Sequence, residues 1–473
     1  MKKQYLIATA IAAIVLISST SQQLRKSGFV PLVNDCLELP ETYFNYANIQ
    51  LPPYLNAPNI QNADNTPADN PITDAGATLG RVLFYDNKLS LTNTHSCATC
   101  HQQANGFTDE SQFSRGFLGG FTGRNSMSLA MARYYNNGHF FWDERAATLE
   151  DQVLIPIQDP VEMGLTLDEM VVKLSVTDYY PPLFEAAFGT PEVSADRVSK
   201  ALAQFVRSMV SFGSKYDAGR GMMPPGAPPT QPFPNFSPEE NLGKAIFFDP
   251  QRGNCASCHG TDAFIAMGPK NNGLEIVITD PGLGAVTGNP EDAGLFKVPS
   301  LRNVELSAPY MHDGSIETLE DVILHYDHDV KPHPNLSPEM RIVPNGPPRF
   351  LSFTPEDRSA LLAFLKTLTD NDFITDERWS DPFCNTTDTR STASAGRNLR
   401  VFPNPSSGTS FRVRLPTEGD YTLQLVGLSG QLLQSVRFRG TVYDFKVAGI
   451  PAGVYFLQVN GEDGQMVQKI VLE

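Results

Sequence analysis

Cys97-Ala98-Thr99-Cys100-His101 and Cys255-Ala256-Ser257-Cys258-His259 decide how this chain is read. In Cys-X-X-Cys-His, two thiols reach the two vinyl groups of one porphyrin, and the next residue sets an imidazole on its iron. A zinc site would need the two Cys pairs to converge, yet each pair already carries its own His. A redox dithiol is the other common use of Cys-X-X-Cys. Two copies that both end in His favour two covalently bound c-type haems. His101 and His259 are then the proximal iron ligands, and Cys97, Cys100, Cys255 and Cys258 the thioether anchors.

The flanks of the two motifs repeat each other. Leu79-Gly80-Arg81-Val82-Leu83-Phe84-Tyr85-Asp86 matches Leu242-Gly243-Lys244-Ala245-Ile246-Phe247-Phe248-Asp249. Trp142-Asp143 and Thr148-Leu149-Glu150-Asp151 match His312-Asp313 and Thr318-Leu319-Glu320-Asp321 at one constant offset of 170. Matches that keep their order mark an internal duplication. Ser237-Pro238-Glu239-Glu240 is a helix start, and Leu319, Val322, Ile323 and Tyr326 share one helical face. After residue 398 the period becomes two: Tyr421, Leu423 and Leu425 alternate with polar residues, and Gly461–Gly464 joins two strand-like runs. The expected fold is mainly α, with two tandem cytochrome c-like haem domains followed by a small all-β sandwich. The expected boundaries are a signal peptide at 1–21, a loop-like lead-in at 22–75 and a first haem domain at 76–218. A Pro-rich connection at 219–238, a second haem domain at 239–384, a polar linker at 385–397 and the β domain at 398–473 follow.

Composition narrows the function classes. The 473 residues carry 36 basic and 52 acidic side chains, a net charge of −16. That balance argues against nucleic acid and suits a cationic partner. Hydrophobic residues at 41% exclude a disordered chain, while 36 glycines and 37 prolines require long loops. Lys2 and Lys3 precede an apolar run from Tyr5 to Ile17 and then Ser18-Ser19-Thr20-Ser21, the pattern of an export signal. The run is shorter than the roughly 20 residues that span a bilayer. Cys36 and Cys384 bracket the modules, and in an oxidising compartment they either bridge or stand as separate surface thiols.

A haem with an open sixth position activates peroxide, whereas a capped haem relays electrons. No His lies between His101 and His139, only Met127 and Met131, and the loop Arg115–Asn125 is Gly-rich. An open first haem is expected. Gln152 shares an apolar face with Leu149 and Val153, as a core amide or a group with a task. Glu162 is loop-borne, either a solvated carboxylate or a proton shuttle for O–O cleavage. Trp142 is a core ring or an electron stepping stone. At the second haem, Tyr326 on its buried face, His325 at the edge of that face and Met311 in the preceding turn are all candidate sixth ligands.

These residues resemble the di-haem cytochrome c peroxidase family, including its MauG-type branch, over roughly residues 75–380. The motifs that carry the resemblance are the paired haem sites, Phe141-Trp142-Asp143 with Leu149, Glu150 and Gln152, and Pro160-Val161-Glu162-Met163-Gly164. Val298-Pro299-Ser300-Leu301-Arg302-Asn303 and Ala308-Pro309-Tyr310-Met311-His312-Asp313-Gly314 complete them. The resemblance implies a peroxidatic haem on His101 and an electron-transfer haem on His259. It implies catalytic roles for Gln152 and Glu162 in the distal pocket, and for Trp142 between the haems. It also implies a calcium ion held by the Asn125 side chain and the carbonyls of Ser307 and Pro309. Members that need reductive activation carry a distal His after the first motif, which this chain lacks. Those members use Met as sixth ligand of the second haem; counting 14 residues on from His312 lands on Tyr326 instead, as in the MauG-type branch.

The implied activity is reduction of hydrogen peroxide to water, with electrons relayed through the second haem from a protein donor such as a small cytochrome c. The alternatives are MauG-like oxidation of an organic or protein substrate through high-valent iron, and a plain di-haem electron carrier. A homodimer is expected because the family is often dimeric. The last segment resembles the sorting domain of type IX secretion, through Val401-Phe402-Pro403-Asn404-Pro405, Gly427-Leu428-Ser429-Gly430-Gln431, Pro451-Ala452-Gly453-Val454-Tyr455 and the closing Lys469–Glu473. That implies a passage from the periplasm to the cell surface or beyond, by way of the secretion machinery. A binding or adhesion module is the other reading.

Overall fold

The computed structural model describes residues 36–224, 226–265, 268–384, 399–402, 410–427, 431–447, 449–461 and 464–472. The expected export signal, the linker at 385–397 and parts of the sorting motifs (403–405 and 428–430) lie outside them. The chain divides into two units, Met1–Phe383 and Cys384–Glu473. Among the described residues no helix is long and apolar enough to cross a membrane.

The duplication is visible in the packing of the first unit. Helix Asp74–Tyr85 starts at Thr73, whose side chain accepts the Gly76 N–H. Its counterpart, helix Pro238–Phe248, starts at Ser237 in a reciprocal capping box with Glu240. The first lies against helix Ala195–Ser208 and the second against helix Pro355–Lys366. Both crossings occur at the glycine of the repeated Leu-Gly pair. A Cβ on Gly80 would stand 2.0 Å from the Ala201 carbonyl oxygen, and one on Gly243 1.8 Å from that of Ala360. No side chain fits there, so glycine sets the distance between the helices.

The loops repeat as well. Antiparallel bridges Phe140↔Ala146 and Tyr310↔Ile316 close the same loop in each half. Thr148 and Thr318 then cap helices Leu149–Gln152 and Leu319–Leu324, each accepting an Asp N–H at 3.1 Å. Two aromatic-rich cores result, one containing Phe84, Phe107 and Phe205, the other Tyr216, Phe247, Phe264 and Phe364. Cys36 and Cys384 are both disulfide-bonded, in accord with the bridged alternative. Beside them Leu37 and Phe383 form an antiparallel bridge.

Two fold expectations need correcting. "Mainly α" is too strong, because many helices are only a turn or two long and Gly- and Pro-rich loops carry much of the first unit. The β domain is also not two separate sheets among the described residues. Strands β1 (Arg400–Phe402), β2 (Ser410–Gly427), β3 (Leu432–Lys446), β4 (Gly453–Gly461) and β5 (Gly464–Leu472) belong to one antiparallel sheet. The long β2 explains this. It pairs β3 along one edge, and β1 and β4 at opposite ends of the other. An irregularity between Arg414 and Gly419 breaks the ladder. Residues from both ends of β2, Phe411 and Val413 with Leu423 and Leu425, still share one core. The Gly461–Gly464 hairpin forms as read.

Candidate functional site

The first Cys-X-X-Cys-His opens a helical turn, Cys97–Cys100, in which the His101 N–H bonds the Cys97 carbonyl at 3.0 Å. The turn directs Cys100 and His101 into a cavity of about 510 Å³. His101 Nδ1 donates to the Phe107 carbonyl at 3.0 Å, which fixes the ring and leaves Nε2 for a metal. A smaller recess of about 60 Å³ shares Cys100, His101, Gln152 and Glu162 as walls and adds Cys97. The second motif lines a cavity of about 200 Å³ with Cys255, Cys258 and His259. His259 Nδ1 is buried without a hydrogen-bond partner among the described residues.

These surroundings fit two haems. All four motif cysteines are free. Burial pushes Cys97 up to about 12 and Cys100 up to about 11, and Cys255 likewise to about 12. A reactive dithiol is tuned the opposite way. Burial pushes His101 below the usual imidazole value and His259 down to about 4. Both rings are thus held neutral, the form that ligates iron.

The first cavity is also lined by the two candidate distal residues. Gln152, at the end of helix Leu149–Gln152, and Glu162 both face the first cavity. Gln152 is therefore a cavity amide and not a core one. Two glycines bring Glu162 there. A Cβ on Gly116 would overlap the Val161 carbonyl oxygen at 1.7 Å, and Gly164, at φ 70°, packs against the Phe117 ring. The Gly-rich loop thus lies directly on the segment that carries Glu162, and Phe117 N–H bonds the Glu162 carbonyl at 3.2 Å. Burial, with a further contribution from Asp159, pushes the Glu162 carboxyl up to about 7.

Trp142 lines both cavities. Its Nε1 donates to the Asn125 carbonyl at 2.8 Å, and its ring meets His312 edge-on at 6.4 Å. The two duplicated positions therefore touch. Lys297 also lines both cavities, a residue that sequence reasoning missed although it directly precedes Val298-Pro299. Its N–H bonds the Trp142 carbonyl at 2.8 Å, and its Nζ donates to Met127 Sδ at 3.2 Å. Met127 faces the first cavity, while Met131 is fully buried in the core.

At the second cavity Tyr326 and Met311 are on the wall and His325 is not. His325 Nε2 donates instead to the Asn272 carbonyl at 3.1 Å. Met311 Sδ accepts from Asn272 Nδ2 at 3.3 Å. Tyr326 lies in the π-turn His325–Asp329, and burial pushes its phenol up to about 12. Asn125 Nδ2 donates to the carbonyls of Ser111 and Gln112 at 3.3 and 3.2 Å. Ser307 and Pro309 sit in the segment that follows the one-turn helix Val304–Leu306.

Comparison with known proteins agrees with this arrangement. The family model for di-haem cytochrome c peroxidase matches residues 74–221, that for cytochrome c matches 240–369, and that for the secretion system C-terminal sorting domain matches 400–473. The methylamine utilization protein MauG of Methylophilus methylotrophus is 32% identical over 309 residues, covering 64% of this chain and 84% of that protein. The cytochrome c551 peroxidase of Nitrosomonas europaea is 31% identical over 304 residues, covering 62% and 79%. A solved MauG-like protein associated with microbial copper homeostasis superposes with a TM-score of 0.59 at 34% identity, covering 71% of this chain and 99% of that one. With this duplicated pair of haem-binding modules, the chain belongs to the di-haem cytochrome c peroxidase family.

Proposed function

We propose that this protein is a di-haem c-type peroxidase that reduces hydrogen peroxide to water at the N-terminal site, with electrons arriving through the C-terminal site. The observation that carries the reading is the meeting of Glu162, Gln152 and His101 on one cavity. Cys97, Cys100 and His101 would hold a haem, which would supply the iron and the electrons for cleaving the O–O bond. Glu162 takes the proton from the incoming peroxide and returns it to the departing oxygen, a task suited to a carboxyl near pH 7. Gln152 offers an amide to the bound oxygens. Phe140, Phe141 and Leu149 form an apolar part of the chamber wall. Trp142, on the wall of both cavities, is the electron path between them.

Tyr326 is our candidate sixth ligand at the second site, because it lines that cavity and His325 does not, with Met311 on the same wall as the alternative. That choice supports a second reading, MauG-like oxidation of an organic or protein substrate, since a phenolate ligand favours stored oxidising equivalents. By the family resemblance, the Asn125 side chain with the Ser307 and Pro309 carbonyls would hold a calcium ion. A small basic cytochrome c suits the acidic chain as donor, and a homodimer remains part of the proposal. The sorting domain makes the secretion machinery a partner, with an export signal at 1–21 leading to the periplasm and then the surface. Stopped-flow turnover of peroxide with reduced cytochrome c tests the main reading. Loss of turnover in Glu162→Gln is expected, and no turnover by the wild type with any donor would refute it.

A further inference from the structure

One buried pair next to these cavities has no part in the steps above. Tyr135 is fully buried, and its hydroxyl donates to the carboxylate of Glu144. Asn137 Nδ2 donates to the other oxygen of Glu144 at 2.6 Å. The Tyr135 ring lies one side chain behind the cavity walls, since Lys297 Nζ stands 4.5 Å from its centre and Lys297 lines both cavities. Met127, which faces the first cavity, receives the same Nζ.

The backbone says that Glu144 is there for its side chain. Glu144 has φ 58°, in the left-handed region that favours glycine. At the duplicated position, 170 residues on, the chain has Gly314 with φ 61°. The loop geometry is the same, so the first module places a carboxylate where the second uses glycine. Strain of that kind persists at functional sites. The product of the strain here is a hydrogen bond to a phenol, one side chain behind the cavity walls.

We propose that Tyr135 is a redox-active side chain of the first site, yielding an electron when the protein donor is absent and its phenolic proton to Glu144. The inference rests on the peroxidase reading. Peroxide is the oxidant: its O–O bond breaks, and it takes a pair of electrons and a pair of protons to leave as water. With both haems bound, Tyr135 would supply one of those electrons by way of the haem that Cys97, Cys100 and His101 would hold, the haem that His259 would hold would supply the other, and solvent would supply the protons. The Tyr135 O–H bond breaks, an O–H bond forms on Glu144, and a neutral phenoxyl radical remains. A donor electron and the proton returning from Glu144 restore the phenol.

Lys297 makes the coupling strict. Its ammonium above the ring disfavours a radical cation in so dry a place, so the electron leaves only if the proton leaves with it. The carboxylate of Glu144 is the one acceptor in contact with the hydroxyl among the described residues. Complete burial keeps Tyr135 from acting as the entry point for an outside substrate. It is an internal reservoir.

The test is freeze-quench EPR of the diferric holoprotein mixed with peroxide and no donor. An organic radical is expected that narrows when the protein is made with ring-deuterated tyrosine. The signal should be lost in Tyr135→Phe and in Glu144→Gln, and kept in Tyr134→Phe. If Tyr135→Phe fails to load haem, the deuterated wild type and Glu144→Gln decide. A tyrosine signal that survives Tyr135→Phe or Glu144→Gln, or the absence of any tyrosine signal, overturns the inference. Peroxide consumption with reduced cytochrome c is measured alongside. Consumption without a Tyr135-dependent radical sinks this inference alone, and no consumption sinks the peroxidase reading with it.

Discussion

Replacing Glu162 by Gln tests the proton-handling step proposed for the first site. In the protein the carboxyl is pushed from 4.5 to about 7, chiefly by burial. At roughly 1.4 kcal/mol per unit, the pocket favours the neutral over the ionised form by about 3 kcal/mol relative to water. The sign follows directly. A carboxyl with a raised pKa is ionised above pH 7 and loses its charge as the pH falls through 7. If the anion takes the proton from peroxide, kcat/KM falls about tenfold for each unit below pH 7. An unperturbed carboxylate would delay that limb until below pH 5. Glu162→Gln removes the base and its titration together. The expected loss is about 10²–10⁴-fold in kcat/KM, with the acid limb gone from the profile. The assay is stopped-flow peroxide reduction from pH 5 to 9 with reduced cytochrome c. Unchanged haem absorption in the variant shows that the pocket is still assembled. A variant that keeps the rate would refute the assignment of Glu162 as proton carrier, and one that keeps the limb would refute the origin given to it.

Three further outcomes concern the helix crossings, the second site and the last domain. Gly80→Ala and Gly243→Ala each drive a Cβ into a backbone carbonyl, at 2.0 and 1.8 Å. Each should lower stability by about 1–3 kcal/mol or more, read as a fall in Tm of the haem-loaded protein. Tyr326→Phe should shift the low-spin component of the resting spectrum while Met311→Leu leaves it in place; the reverse result assigns Met311 as ligand. A chain ending before residue 399 should retain peroxide turnover and fail to leave the periplasm, measured by fractionating cells. Release of that shortened chain would refute the sorting role of the sheet domain.

How much of this was legible depended on the distance over which each signal acts. The haem sites were readable because all their chemistry fits within five consecutive residues. The duplication was readable because it preserves order, and it extends to the packing: Gly80 and Gly243 occupy equivalent crossings against Ala201 and Ala360. Gln152 was ambiguous, since helical spacing gives its face and not what that face meets. Only the approach of the 159–164 segment, allowed by Gly116 and Gly164, makes that face a cavity wall. The single sheet of the last unit escaped for a similar reason. Alternation gives strands, but the length of β2 and its two partners on one edge determine that they join.

Lys297 illustrates the harder limit. It stands 155 residues from Trp142, yet it hydrogen-bonds that residue's carbonyl and touches Met127 and the Tyr135 ring. No local pattern encodes a side chain whose neighbours come from the other module. Burial pushes its ammonium down to about 8, while the charge of Glu144 acts in the opposite direction. The Glu144 anomaly, in contrast, lay in plain view. Aligning Trp142-Asp143-Glu144 with His312-Asp313-Gly314 shows a glutamate opposite a glycine, one of several differences around the shared Asp. A left-handed backbone position costs a non-glycine residue on the order of 1 kcal/mol or more. Duplicated modules diverge freely where nothing opposes change, but here the geometry has been kept, at φ 58° and 61°, and only the side chain differs. The difference therefore marks what one module does and the other does not. At this loop position the first module places a carboxylate bonded to the buried phenol of Tyr135, where the second module has no side chain.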